Sequence, residues 1–375
     1  MQVALFARSH MYMKSYLTER ENRFDQIRLG LALSVVLGHC WHISGGPESR
    51  VPLQDFTRLG FHEYAVNLFF FISGLLVTHS AFRRQSDLFG FVVARGLRIF
   101  PALIVCALTV PALLVLAGAW VDATPQQTLN YTARLISLVF VEFNNPNVFV
   151  DLPFPHALNG SVWSLRHEVG AYVLLALFVA SGAFFKSRWV LSAYVIVVGS
   201  IAVAGHIYAQ TATGGVPFIM AESRFVIVSF LLGVLTHRLA AWLPIRWAIA
   251  VLLWVAIGVG QAFASDLVAI YGLIVALSYS VLCIAYLGGR SKGLPVDLSY
   301  GVYIYGWPLQ QLTVFVCLTY FSSIPEPLTL FLIVLPALLV VALASWVLIE
   351  RPAIGFGHRY ASAFAAKRCR QAEGG

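Results

Sequence analysis

Stretches of about 20 apolar residues recur along almost the whole chain, and this repeat constrains the fold more than any other feature. They fall at 27–44, 62–81, 98–119, 162–183, 189–208, 220–237, 242–262, 267–287, 297–318 and 328–349. About 20 such residues carry an α-helix across the hydrocarbon core of a bilayer. A bare loop or open strand does not cross there, because lipid offers no hydrogen bonds to exposed peptide groups. The pattern predicts an all-α membrane protein, a polytopic bundle of about ten transmembrane helices. Composition agrees, with 59% of residues hydrophobic and 11% charged, against about 25% charged in a soluble domain.

A weaker run at 133–142 carries Arg134 and Glu142. Its length predicts an interfacial or re-entrant segment. Orientation follows from the basic residues. One set of alternate segments holds Arg8, Lys14, Arg20 and Arg23, then Arg83, Arg84 and Arg95, then Lys186 and Arg188. It continues with Arg238 and Arg246, Arg290 and Lys292, and finally Arg351, Arg359, Lys367, Arg368 and Arg370. The other set holds Arg50, Arg58, Arg134 and Arg224. The positive-inside rule then predicts both termini in the cytoplasm. Residues 1–26 form a cytoplasmic N-terminal segment, 27–350 the membrane domain with a long outer loop at 120–161, and 351–375 a cytoplasmic basic tail. The first ~25 residues lack the apolar core of a cleavable signal, so the first span serves as the targeting element.

The net charge of +8 reads as topology. Spread over many short loops, it predicts no nucleic-acid partner. Cys40, Cys106, Cys283, Cys317 and Cys369 are scattered and read as buried apolar residues, neither metal ligands nor disulfides. No P-loop or dinucleotide fingerprint is present.

Ionisable residues inside spans are costly and point to function. Arg28 and His39 share the segment IRLGLALSVVLGHCWHI. On a helix they stand ~16 Å apart and within roughly 20° of one face. His39 has the chemistry of a general base; a packing imidazole is the alternative, and His42 is a weaker candidate for the same role. Glu168, in SVWSLRHEVGAYVLL, sits between flanking Arg166–His167 and the apolar rest of its helix. If that helix starts near Val162, Glu168 lies ~9 Å below its outer end and His39 ~8 Å below its own. One shared depth allows a carboxylate–imidazole pair; an internal Glu–Arg ion pair is the alternative. Arg95 and Arg98, in ARGLRIFPAL, open the third span from the cytoplasmic side, where Arg28 opens the first. Together the three form a candidate phosphate-binding cluster, unless they are snorkelling anchors. Ser73-Gly74 in FFFISGLL suits close helix packing. Tyr300, Tyr303 and Tyr305, in DLSYGVYIYGWPLQQ, offer hydroxyls along a polar path or an aromatic belt.

Taken in order, FDQIRLGLALSVVLGH, FFFISG, ARGLRIFPAL, SVWSLRHE, LSYGVYIYGWP and the final IERP resemble the acyltransferase-3 family of integral-membrane O-acyltransferases, over nearly the whole chain. The resemblance implies transfer of an acyl group, usually acetyl, from cytoplasmic acyl-coenzyme A to a hydroxyl of an extracytoplasmic or lipid-linked carbohydrate. Its setting is the bacterial inner membrane. Acetyl-coenzyme A is then a donor substrate; no cofactor is permanently bound and no metal is expected. The partners are acyl-coenzyme A, a carbohydrate acceptor and the lipid bilayer, with homo-oligomerisation open. Family members carry their essential arginine and histidine at the positions of Arg28 and His39, their paired arginines at Arg95 and Arg98, and a Trp-Ser-Leu…Glu motif at Trp163, Ser164, Leu165 and Glu168. Joined to the residue chemistry, this makes His39 and Glu168 the catalytic candidates and Arg28, Arg95 and Arg98 the donor-binding ones. Trp163, Arg166 and Tyr303 complete the set as substrate-binding candidates. Gly306 stands where many members have a histidine, which removes any catalytic role there and hints at the exopolysaccharide acetyl- or succinyltransferases. A secondary transporter or flippase for a polar or glycan substrate is the alternative from another class. The chain shows no clear repeat between its halves to support it.

Overall fold

The computed structural model describes residues 12–17, 21–83, 88–138, 145–180, 188–211, 218–260, 265–289, 291, 293–357 and 359. Among these the protein is helical and has no sheet; two isolated antiparallel bridges join Tyr12 to Pro244 and Trp120 to Val148. The longer helices are α1 (Phe24–Gly45), α2 (Phe61–Arg83), α3 (Leu88–Leu116), α4 (Pro125–Ser137), α5 (Leu165–Ala180), α6 (Arg188–Thr211), α7 (Phe218–Arg238), α8 (Trp247–Gly260), α9 (Asp266–Leu287), α10 (Ser299–Phe321) and α11 (Pro327–Ser345). A π-helical turn, Trp346–Glu350, extends α11.

Each predicted apolar run coincides with a helix. Among the described residues six segments are long and apolar enough to cross a membrane: Phe24–Gly45, Phe61–Arg83, Phe89–Leu116, Gly160–Ala180, Val268–Leu287 and Pro327–Gly357. The protein is therefore a multi-pass membrane protein. Prolines stand inside α3 (Pro101, Pro111), α10 (Pro308) and α11 (Pro336), as neighbouring helices in a membrane allow. Several residues used for the orientation lie outside the described residues: Arg8, Arg20, Arg84, Lys186, Arg290, Lys292, Lys367, Arg368 and Arg370. So do Glu142, Cys369 and all but the first part of the basic tail. The other four cysteines are free, and Cys40, Cys106 and Cys283 are buried.

The weak run expected at 133–142 is displaced. Its helix, α4, begins eight residues earlier, where Thr124 and Gln127 form a capping box and Pro125 takes the first helical position. Tyr131, Thr132 and Leu135 are buried while Leu129 and Arg134 are exposed, so α4 is an amphipathic cover. Thr132 Oγ1 donates to the Ala107 carbonyl of α3 at 2.9 Å. Residues 139–142 of the run lie outside the described residues.

The chain divides into two compact units, with the boundary inside α1. The first comprises Met1–Val35, Val51–Ser80 and Ser181–Pro295. Its core gathers Met13, Tyr16, Phe24, Phe71, Leu75 and Tyr286 with their neighbours, and Tyr16 stacks on Tyr286 at 5.2 Å. Within it α2 and α7 approach backbone to backbone. A Cβ on Gly74 would strike the Phe230 carbonyl, and one on Gly233 the Phe71 carbonyl, so small residues set this crossing. Ser229 Oγ donates to Asn67 Oδ1 at 2.9 Å beside it. The start of α1 is tied down by Gln26 Nε2, which donates to Ser291 Oγ at 2.5 Å.

The second unit comprises Val36–Arg50, Ala81–Ala180 and Val296–Gly375. It is organised by α10, which is buried at most positions from Ser299 to Gln311. Gly301 lies so close to α11 that a Cβ would meet Ala342 at 2.9 Å.

Candidate active site

The site is built around α10. Along one side of it descends the second part of the long loop, and hydrogen bonds mark each step. Gln311 Nε2 donates to the Phe154 carbonyl at 2.8 Å, and Trp307 Nε1 to the Ala157 carbonyl at 3.2 Å. Asn159 Nδ2 donates to the Ile304 carbonyl at 2.9 Å. Tyr303 Oη donates to the Ser161 carbonyl at 2.7 Å and lies 2.6 Å from Ser164 Oγ. Gly160 fits because it lacks a Cβ, which would meet the Trp307 indole at 2.8 Å. The loop thus enters the bundle rather than lying across its mouth. A 3-10 turn, Gly160–Ser164, hands over to α5 at Leu165.

That insertion sets the surroundings of Glu168. Starting its helix at Val162 on the outer surface puts Glu168 level with His39. In the structure residues 160–164 are already inside, against Trp307 and Tyr303. Glu168 sits where its charge acts on Tyr300, Tyr303 and Arg98, and it accepts a hydrogen bond from Tyr172 Oη.

His39 occupies a different level. It is 8% exposed and its ring stands edge-on to Trp307, with centroids 4.9 Å apart and planes at 76°. Gln310 Nε2 holds this part of α1 by donating to the Val36 carbonyl at 2.6 Å. Gly306 is packed here too, since a Cβ would meet Val36 Cγ2 at 2.6 Å. The departure from histidine at this position therefore has a steric reason: α1 occupies the space. Measured along α10, the Trp307 level of His39 and the Tyr300–Tyr303 level of Glu168 differ by one to two turns, ~6–10 Å.

At the opening end of α10, Arg98 Nη2 pairs with Asp297 Oδ2 at 2.6 Å and Nη1 with Glu350 Oε2 at 3.4 Å. The guanidinium also stands 5.9 Å from the Tyr300 ring centroid. Asp297 Oδ1 accepts from Ser299 N and Oγ, so the same residue also ties down the first residue of α10. Ser345 Oγ donates to Glu350 Oε1 at 2.9 Å. Glu350, 1% exposed, closes the π-helical turn, a local distortion often found at functional sites. Thus RGLR, DLSYG and IERP, far apart in sequence, share one ionic network that the sequence reading did not assemble.

Of the three expected arginines, two stand in this unit. Arg98 is neutralised by two carboxylates. One turn earlier on α3, Arg95 keeps a buried Nε with no hydrogen-bond partner among the described residues. Arg28 is half-buried on the part of α1 that belongs to the other unit. Trp163 stands edge-on to His167 at 5.6 Å, and the His167 ring nitrogen Nδ1 is 3.2 Å from the Trp163 carbonyl. Arg166 has a buried Nη2 without a partner among the described residues. Tyr303 is buried and committed to the inserted loop. The second unit therefore holds a buried imidazole, a carboxylate, and a guanidinium whose Nε has no partner among the described residues. This set suits proton removal from a hydroxyl and capture of an anion.

The family described as Acyltransferase domain matches residues 21–350. The chain is 29% identical over 314 residues to the O-acetyl transferase of Shigella phage Sf6, which covers 79% of this chain and 86% of that protein. It is also 29% identical over 368 residues to Nodulation protein 10 of Rhizobium leguminosarum bv. viciae, covering 89% of this chain and 93% of that protein. No solved structure matches the chain. The matched region carries His39, Glu168, the inserted loop and the whole Arg98–Asp297–Glu350 network, and on that ground the chain belongs to the acyltransferase-3 family of membrane acyltransferases.

Proposed function

We propose that the protein moves an acyl group, acetyl before others, from cytoplasmic acyl-coenzyme A to a hydroxyl of an extracytoplasmic or lipid-linked carbohydrate. It would do so as a ten-span protein of the bacterial inner membrane with both termini in the cytoplasm. The family supports acyl transfer, and the name of the phage relative supports an oxygen acceptor and an acetyl group. The observation that carries the reading is the buried His39 against Trp307, at one end of a polar line whose other end is arginine-rich.

His39 removes the proton from the acceptor hydroxyl. The oxygen attacks the thioester carbon, the carbon–sulfur bond breaks, and the imidazolium returns the proton to the departing thiolate. An ester and free coenzyme A result. Glu168, held by Tyr172, favours the imidazolium electrostatically. Arg28 and Arg95 take the donor's phosphates. Arg98 contributes to the donor end by fixing α3, since Asp297 and Glu350 already answer its charge. The Trp307 level and the Asp297–Tyr300 level lie seven to ten residues apart on α10, ~10–15 Å. An extended pantetheine arm of about 15–20 Å spans that. Trp163 and Arg166 are assigned to the acceptor. Only the intramembrane charges favour a transporter or flippase, and acyl transfer accounts for those at Arg28, Arg95 and Glu168.

The test uses the full chain in liposomes with labelled acetyl-coenzyme A and a glycan mixture. Label should move to glycan with release of free coenzyme A. His39→Ala should lower transfer by ~10²–10⁴-fold with donor binding retained. Unchanged transfer by folded His39→Ala refutes the mechanism. Arg95→Gln should raise the KM for the donor, and an unchanged KM removes Arg95 from the phosphate site.

A further inference from the structure

In the first unit, three polar side chains from three helices converge where α6 ends and α7 and α9 begin. They are His206 of α6, Arg224 of α7 and Tyr271 of α9. The rings of His206 and Tyr271 are 5.8 Å apart, and Phe225 lies 5.6 Å from the first and 5.8 Å from the second. The Arg224 guanidinium stands 4.6 Å from the centroid of the same Phe225 ring. His206 is 1% exposed. Neither of its ring nitrogens has a hydrogen-bond partner among the described residues, nor do the buried Arg224 Nε and Tyr271 Oη. Asp266, whose charge reaches His206, is itself paired with Arg58 at 3.0 Å.

A buried polar atom without a partner is rare and calls for an explanation. A cation inside apolar helices is costlier still and is retained where it meets a ligand or lines a pathway. Here three such groups meet at one spot, and none has a role in the acyl-transfer chemistry above. Their chemistry is one-sided. The guanidinium donates only, the phenol and one imidazole nitrogen donate, and Phe225 supplies an apolar floor. What would answer them is a group rich in acceptor oxygens and negatively charged, which a planar guanidinium grips well.

We infer that His206, Arg224 and Tyr271 form a second binding site, for the carboxylate or phosphate oxygens of an anionic ligand. Such a group comes from two sources, the headgroup of a membrane lipid or an acidic sugar or phosphate on a water-soluble molecule. The site stands without the acyl-transfer reading, because its occupancy is measured directly. On the proposed topology it opens outward.

The test is calorimetric titration of the full chain in neutral detergent with inorganic phosphate, D-glucuronate and D-glucose at constant ionic strength. Phosphate or glucuronate should bind saturably and glucose should not. Arg224→Gln should weaken that binding at least tenfold, Arg224→Lys less, and Tyr271→Phe, which removes one oxygen only, a few-fold. Repeating the glucuronate titration in nanodiscs separates the sources. Binding equal in phosphatidylcholine and phosphatidylglycerol assigns the site to a soluble acid; binding lost only in phosphatidylglycerol assigns it to the lipid headgroup. No saturable binding of either anion in detergent overturns the proposal. So does unchanged affinity in Arg224→Gln and Tyr271→Phe proteins that keep wild-type helicity.

Discussion

In the unit organised by α10, Arg98 meets two carboxylates, Tyr303 and Asn159 bond the inserted loop, and Gln310 grips α1. In the unit of α2, α7 and α9, His206, Arg224 and Tyr271 keep buried atoms that no described residue answers. Both sets are polar residues inside apolar helices, and a hydropathy profile treats them alike. The first set does what interhelical hydrogen bonds do in membranes, fixing which helix lies beside which. The second leaves donors that no described residue answers. The contrast recurs within a single helix, where Arg98 is committed and Arg95, one turn before it, keeps an Nε that no described residue answers. Whether a buried charge organises the fold or awaits a ligand thus depends on its partners, not on its burial.

The largest effect that probes this contrast is expected at Glu350. Glu350→Ala leaves Arg98 with one carboxylate in place of two and should destabilise the protein by about 3–5 kcal/mol, read from thermal unfolding in detergent. Glu350→Gln should cost less, because its amide oxygen can still accept from Arg98 while its NH2 group donates to Ser345 Oγ. Wild-type stability of Glu350→Ala would place Arg98 with the open groups and dissolve the distinction. A smaller effect probes packing in the other unit, where polar partners are few and close approach matters. Gly74→Ala and Gly233→Ala each direct a methyl at a backbone carbonyl of the facing helix. Each should cost about 1–3 kcal/mol, and two neutral substitutions would mean that α2 and α7 slide freely.

The apolar runs were readable because lipid imposes one solution on any backbone that crosses it, and a helix stands at each run. His39, Glu168 and the paired arginines stand out in the sequence because such residues are rare in spans. Three things were not readable. The carboxylates that neutralise Arg98 lie 199 and 252 positions away, and nothing local announces such pairs. The second is the surroundings of Glu168, because hydropathy places the start of its helix at Val162 and says nothing of the loop before it. In fact Asn159, Ser161 and Ser164 trade hydrogen bonds with α10 and carry the loop inside. The Asn-Gly-Ser stretch before Val162, polar beside an apolar run, is the signal that was there to use. The central role of α10 was hidden for a related reason. Its tyrosines, tryptophan and glutamines make it less apolar than its neighbours, yet they are the groups that bind the loop and α1.

Two tyrosines give the finest test. Tyr303 donates to the Ser161 carbonyl and lies against Ser164 Oγ, so Tyr303→Phe strips a buried acceptor of its donor and should cost about 0.5–1.5 kcal/mol. Tyr271 is a phenol of the same kind in the other unit, but its oxygen has no partner among the described residues. Removing it takes away no bond, so Tyr271→Phe should stay within about 0.5 kcal/mol of wild type while its anion affinity falls. Paired unfolding curves in one detergent decide the matter. A cost at Tyr271 equal to that at Tyr303 would mean that its hydroxyl is already answered inside the protein, and the oxyanion site would lose one of its three supports. A neutral Tyr271→Phe beside a destabilised Tyr303→Phe shows that the two units use the same side chain for different ends.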